Sequence, residues 1–124
     1  MTLGQIMNAR DAWEKIGSFQ LEPQMAYRVL KYAKRVIADW DIIEAKRVEI
    51  VHDITGTEPG TEARIERNTD EFREYIRRMN EVLNVEADLD QFEYTLDEFL
   101  GSIRSDNNTL SPQDLSLLEP FFKE

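Results

Sequence analysis

The longest regular pattern in the chain is a series of apolar residues at helical spacing in its first half. Between Pro23 and Ile54 no glycine and no further proline interrupts the sequence, and apolar side chains recur every three or four residues. We therefore predict one long helix over about residues 23–54, with Pro23 in its first turn, where the missing N–H has no intrahelical partner. The apolar positions are Ala26, Val29, Leu30, Ala33, Val36, Ile37, Trp40, Ile43, Val51 and Ile54.

This apolar stripe predicts what the long helix buries. Leu30, Ile37 and Trp40 share it, so we expect their side chains to lie in the core. Glu44 and Arg47 interrupt the stripe, which therefore falls short of a continuous heptad seam. About 30 residues at ~1.5 Å each give a rod of roughly 45 Å. The far half of such a rod needs a partner helix, either from the same chain or from a second copy in a homodimer.

Shorter helices are predicted before and after the long one. Thr2 is a suitable N-cap for a helix over about residues 3–16, which Gly17 would end. Thr69 would cap a further helix over about residues 70–84, with an apolar face and several arginines mostly off that face.

Two segments join these helices to the end of the chain. Residues 56–68 contain a type II turn sequence, Glu58-Pro59-Gly60-Thr61, and the pattern leaves open whether the whole segment is a hairpin or a loop. Residues 85–90 alternate apolar and acidic side chains, which is typical of a strand. Residues 96–100 form one predicted helical turn, and Ser111 and Pro112 predict a last short helix.

Together these patterns predict a mainly α fold. A single domain over residues 1–124 would have a long central helix packed by two or three shorter helices, with a small β element near residues 85–94. The chain has no cysteine, which excludes disulfides and thiolate metal sites. It has neither an apolar run long enough to span a membrane nor a signal-peptide start, so we expect a cytoplasmic protein.

Charge distribution is the feature that bears most on function. The chain has 25 acidic and 15 basic residues, for a formal net charge of −10. Residues 81–124 hold 11 of the acids and only Arg104 and Lys123 as bases, so a net charge of −9 lies in this acidic C-terminal third. Such a segment repels nucleic acid and acidic lipid and attracts a basic surface. We therefore expect neither direct nucleic-acid binding nor membrane binding.

Six acids are the candidate partner-binding residues, and three interpretations stay open for Glu86, Asp88 and Asp90, which share one face of the predicted strand. A cation site would need converging oxygen ligands, and the stretch from Asp88 lacks the glycine of a calcium loop. A row of carboxylates could imitate a phosphate backbone, or it could be a solvated face that prevents unwanted strand pairing. The candidates are Glu86, Asp88, Asp90, Glu93, Asp97 and Glu98.

The other chemically interesting residues favour structural roles. His52 is the only histidine and is interpreted as a surface or helix-end residue. Trp13 and Trp40 fall on apolar stripes, which favours core packing over an exposed anchor. A basic cluster on the long helix is expected to pair with acids of the same chain. No motif for a catalytic residue, a cofactor or a metal is present, so an enzyme is not expected. The cluster consists of Arg28, Lys31, Lys34 and Arg35.

The order of elements resembles a family of small phage and prophage proteins of uncharacterised function. Three stretches carry the resemblance: LGQIMNAR at residues 3–10, the helix-to-strand passage from residues 68–72 to 84–89, and LSPQDLSLLEPF at residues 110–121. These stretches consist of caps and packing residues, so the resemblance implies a phage origin and a fold order but no active site.

These observations predict a non-enzymatic phage protein that acts by protein–protein interaction in the host cytoplasm or associated with the virion. Its partner would be a phage or host protein with a basic surface, and virion assembly or an accessory role is the first hypothesis. The alternative is an acidic inhibitor of a host nucleic-acid enzyme or defence complex, similar to an anti-CRISPR protein that mimics nucleic acid.

Overall fold

The computed structural model describes residues 1–124 and is dominated by helices. One long helix carries the shorter helices on one side, and two short strands pair near the C-terminus. No helix has the length and apolar character needed to cross a membrane. The elements are α1 (Leu3–Asn8), α2 (Arg10–Ile16), α3 (Pro23–Thr55), α4 (Asp70–Leu83), β1 (Phe92–Thr95), α5 (Leu96–Gly101), α6 (Pro112–Leu118), a 3-10 turn (Glu119–Phe121) and β2 (Phe122–Lys123).

The predicted mainly α fold with a long central helix is confirmed, and α3 ends within one residue of its predicted bounds. Pro23 occupies the start of the helix. Gly56 ends it in the left-handed conformation, with φ of 69°, and donates its N–H to the carbonyl of His52 at 2.9 Å. A left-handed residue after the last turn is a common helix stop because glycine has no Cβ to clash there.

The buried face of α3 differs from the predicted stripe. Leu30 is 53% exposed and Ile37 is 42% exposed, so the expectation that they lie in the core is wrong, while Trp40 is half-buried. The shorter helices cover only one side of α3, and Leu30 lies about 100° around the helix from its buried neighbour Val29. The buried residues recur every three, four or seven positions: Met25, Val29, Tyr32, Val36, Ile43 and Ile50.

The first predicted helix is divided into α1 and α2 at Ala9. Thr2 caps α1 as expected, because its hydroxyl accepts the N–H of Gln5 and the Gln5 side chain accepts the N–H of Thr2. Ala9 is fully buried and has φ of −92° and ψ of 0°. The resulting bend lets α1 pack against α3 and α4, while α2 packs against α3 and α6.

Helix α4 is the partner of the far half of α3. Thr69 caps it as predicted, accepting the N–H of Phe72 at 3.1 Å. The chain between the two helices is a loop without regular strands, which answers the question of hairpin or loop for residues 56–68. Gly60 has φ of 88°, and the N–H of Thr61 donates to the carbonyl of Glu58 at 3.2 Å, consistent with the predicted turn.

The strand predicted over residues 85–90 is reduced to one isolated bridge between Glu86 and Thr2. The N-terminal residues that pair with it enter α1 immediately, so no ladder can extend. The regular strand, β1, begins at Phe92 and pairs in parallel with β2, with Phe92 opposite Phe122. The predicted β element near residues 85–94 therefore exists, but its regular part lies at the end of that range.

The C-terminal segment closes the core. Ser111 caps α6 and forms a capping box with Asp114, as its sequence predicts. Phe121 and Phe122 then insert beside Trp13, with ring centroids 5.5 and 5.9 Å away. Tyr32, Phe92 and Phe99 complete this aromatic core. The positions of Trp13 and of the half-buried Trp40 agree with packing roles.

Candidate protein-interaction surface

The first of the six candidate acids, Glu86, is already paired within the chain. Its carboxylate lies 2.6 Å from the N-terminal amine of Met1. Backbone hydrogen bonds join residues 1–3 to residues 85–87 on either side of this contact. The Met1 side chain is nearly buried, whereas the Glu86 side chain stays largely exposed. One positive charge therefore offsets the negative charge of Glu86.

Asp88 and Asp90 are exposed and have no ion pair. They lie in the irregular segment between α4 and β1, on either side of the buried Leu89. The Tyr32 hydroxyl donates to the backbone carbonyl of Asp90 at 2.7 Å and thereby holds the segment against α3. Burial raises the pKa of Tyr32 to about 12, so its hydroxyl stays a donor well above neutral pH.

The remaining three candidates have three different environments. Glu93 lies 3.5 Å from the Arg28 guanidinium on α3. Glu98 belongs to the cap of α5, where its carboxylate accepts the N–H of Thr95 at 3.1 Å. Asp97 is exposed in the first turn of the same helix and has no ion pair. The six acids therefore do not form one continuous row of free carboxylates.

Asp97 lines a polar groove between the β1–α5 junction and the end of α6. The groove has a volume of about 490 Å³. Three acids line it with a single base, and none of these four has an ion-pair partner within 4.0 Å. Its charged residues are Asp97, Glu119, Lys123 and Glu124, and uncharged lining residues include Gln91, Thr95 and Ser116. We call this feature the acidic groove.

Sequence reasoning did not identify Glu119 as a member of this site. It lies 22 positions after Asp97 and carries no local motif. Both line the groove because β1 and β2 pair in parallel, which places the segment before β2 near the β1–α5 junction. A pairing between segments so distant in sequence leaves no signal in the periodicity of either segment.

The basic cluster of α3 is only partly neutralised by acids of the same chain. Arg28 pairs with Glu93, as the sequence interpretation expects. Lys31, Lys34 and Arg35 have no carboxylate within 4.0 Å. Lys31 instead lies over the ring of Tyr27, with its Nζ 5.4 Å from the ring centroid. Intramolecular pairing therefore accounts for Arg28 but not for the other three.

The side chains that could bind a metal ion are dispersed over the structure. No group of three or more histidine and acidic side chains lies close enough to share a metal ion. His52 occupies the last turn of α3, where its Nδ1 lies 2.6 Å from the Thr57 hydroxyl, so the helix-end interpretation is confirmed.

Lys15 and Ser111 hold the pKa of Asp114 below its usual value, and this carboxylate joins α2 to α6.

A second surface is apolar and shares no lining residue with the acidic groove. A shallow apolar groove of about 460 Å³ lies where α1, α3 and the end of α4 meet, and its lining includes Leu3, Ile42, Val82 and Val85.

Comparisons of the chain with protein families, with curated proteins and with solved structures found no match.

Proposed function

We propose that this is a non-enzymatic protein that acts by binding another protein, and that the acidic groove accepts a basic segment of that partner. The observation that carries the proposal is that Asp97, Glu119 and Glu124 line one groove and none of them forms an ion pair. A lysine or arginine that enters a groove gains several carboxylate acceptors at once, and an arginine can bind them in a bidentate manner.

The distribution of free acids favours a local groove over an extended imitation of nucleic acid. A mimic of a phosphate backbone needs a regular row of uncompensated negative charges. Here Glu86 and Glu93 are neutralised by the N-terminal amine and by Arg28. The free acids Asp88 and Asp90 lie apart from the acidic groove, in the segment before β1.

The biological setting that we propose is a phage protein in the host cytoplasm or on the virion, with a role in virion assembly or an accessory role. This setting rests on the resemblance of the capping and packing stretches to phage proteins. The second candidate is inhibition of a host nucleic-acid enzyme or defence complex. The free Asp88 and Asp90, in a segment of strongly negative charge, favour it because a basic nucleic-acid channel would attract them.

Affinity capture with the immobilised full chain tests the proposal. Wild-type protein and the double variant D97N/E119Q are each exposed to purified phage structural proteins and to host lysate. We expect wild type to retain a basic partner and the variant to lose at least about tenfold in affinity for it, chiefly through slower association at low salt. Capture of a phage structural protein supports the assembly role, and capture of a host nucleic-acid complex supports inhibition.

The matched control is E62Q/E71Q, which removes two exposed acids that do not line the acidic groove. It changes net charge by the same amount and should leave capture unchanged. Equal loss of binding in both variants would indicate a response to net charge alone and would exclude the groove. A third variant, D88N/D90N, distinguishes the two candidate functions. It should weaken binding to the basic channel of a host nucleic-acid enzyme and leave binding at the acidic groove unchanged.

A further inference from the structure

The outward side of α3 carries an unusual concentration of exposed apolar residues. Tyr27, Leu30, Ile37 and Val48 are between 39% and 57% exposed. Their spacings of three, seven and eleven residues place them in one stripe along the helix, roughly opposite the buried row. We call this stripe, together with Lys34 and Asp41 within it, the outer face of α3.

Two charges of the outer face have no partners in the chain. Lys34 and Asp41 are exposed, and neither lies within 4.0 Å of an opposite charge. They are two helical turns apart, about 10.5 Å along the axis, which is too far for a salt bridge between them. Lys34 and Asp41 lie at equal distances before and after the midpoint between Ile37 and Ala38. This placement points to a second copy of the chain as the molecule that covers the face.

A second copy of the chain complements this arrangement when the two α3 helices are antiparallel. A twofold axis between Ile37 and Ala38 places Lys34 of each copy opposite Asp41 of the other. The same axis places Tyr27 opposite Val48, so that the apolar ends of the stripe also meet. A parallel arrangement would instead place like charges opposite each other, which is unfavourable.

We propose that the protein forms an antiparallel homodimer through the outer face of α3. The four apolar side chains of this face keep 39–57% of their surface exposed, so a second copy can cover them. This interface does not overlap the residues of the acidic groove, and the dimer neither requires nor excludes binding at that groove.

The first test is sedimentation equilibrium of wild type and two charge-introducing variants of exposed apolar residues. L30E lies on the outer face, whereas I42E replaces a residue of the same helix that is 64% exposed but lies off that face. We expect wild type to dimerise, L30E to raise the dimer dissociation constant at least about tenfold, and I42E to leave it unchanged. Helical circular dichroism should be the same for all three.

The second test reverses the charges. K34E and D41K should each weaken the dimer, because each places two like-charge contacts in the interface. The combined K34E/D41K variant has the wild-type net charge and recreates both opposite-charge contacts, so dimerisation should return to near the wild-type level. Failure of the combined variant to recover would overturn the antiparallel register.

The third test uses single cysteines, which are unambiguous because the chain has none of its own. Ala38 and Ala45 are both exposed on α3 and are seven residues apart. In the proposed register A38C meets its counterpart near the twofold axis, whereas two copies of A45C are about 22 Å apart along the axis. Oxidation should therefore cross-link A38C and not A45C.

Three further results would overturn the inference. A strictly monomeric wild type at the highest soluble concentration would exclude the dimer. Dissociation of the dimer by I42E but not by L30E would show that the interface is the apolar groove that Ile42 lines. Cross-linking of both cysteine variants with equal efficiency would indicate a parallel pair of helices.

Discussion

The two ends of α3 are stabilised in different ways. Around its first half, α2, β1, α5, α6 and β2 bring aromatic rings together, and 16 of the 18 buried residues form one cluster there and along the adjoining turns. Around its second half, α4 and the loop before it pack on the helix, and α1 approaches it near Ile42. Ile50 and Met79 are the buried residues outside the cluster, and they belong to this second region, which we call the helical arm (residues 44–83).

Ionic contacts take up part of the role that aromatic packing has at the other end. Arg47 donates to both carboxylate oxygens of Glu44, at 3.0 and 2.5 Å for the closest contacts, and holds the pKa of Glu44 below its usual value. Arg78 of α4 reaches Asp53 of α3 at 3.2 Å. Because exposed ion pairs contribute little stability, the arm should open more readily than the aromatic core.

The largest expected effect is loss of an aromatic ring from the core. Phe121 is fully buried and contacts Trp13, so F121A should lower the free energy of unfolding by about 3–5 kcal/mol. The matched change in the arm, F72A, removes a half-buried ring and should cost less than half as much. Chemical denaturation measures both, and equal losses would remove the distinction between the two regions.

A smaller effect is expected for an aliphatic residue of the arm. Ile50 is buried outside the main cluster, whereas Ile43 is buried within it. I50A should cost about 2 kcal/mol, at the lower end for such changes, because α4 can move into the space, and I43A should cost more. Hydrogen exchange should accelerate for α4 amides in I50A, with α2 amides unaffected. Uniform acceleration throughout the chain would show that the arm does not open separately.

The Tyr32 hydroxyl links α3 to the acidic segment and gives a pH-dependent prediction. In the folded state its pKa is raised to about 12 from 10.0, so between these values the unfolded chain releases a proton that the folded chain keeps. The contribution of Tyr32 to the free energy of unfolding should be complete below pH 10 and should decrease as pH rises toward 12. Y32F should cost about 1 kcal/mol at neutral pH through loss of the hydrogen bond to Asp90.

The comparison of Y32F with wild type across alkaline pH isolates this group. The variant lacks the hydroxyl, so its unfolding free energy should decrease less steeply than that of wild type between pH 10 and 12. Parallel curves would mean that another group determines the alkaline limit.

The smallest effect is expected for Leu30, which sequence periodicity places in the core and the structure leaves half-exposed. In dilute solution, where any dimer is dissociated, L30A should change the unfolding free energy by less than about 0.5 kcal/mol. V29A, one residue away on the buried side, is the control and should be clearly destabilising. A loss of ~2 kcal/mol or more in L30A at low concentration would show that its side chain packs within the chain.

Most helix boundaries, though not the division at Ala9, could be predicted from the sequence because caps are local. Thr2, Thr69 and Ser111 each accept an N–H from a residue three positions later, and the side chains that do this are recognisable without tertiary context. Gly56 and Pro23 act equally locally through their permitted φ angles. The concentration of negative charge in residues 81–124 is likewise a property of the sequence alone.

The choice of buried face and the composition of the candidate site depended on tertiary structure. The long apolar stripe of α3 is wider than the neighbouring helices can cover, so only packing decided that Val29 is buried and Leu30 is not. The pairing of Phe92 with Phe122 joins segments 30 residues apart and thereby places Asp97 and Glu119 at the same groove. Periodicity within one segment reports which residues share a face, but it contains no information on which other segment covers that face.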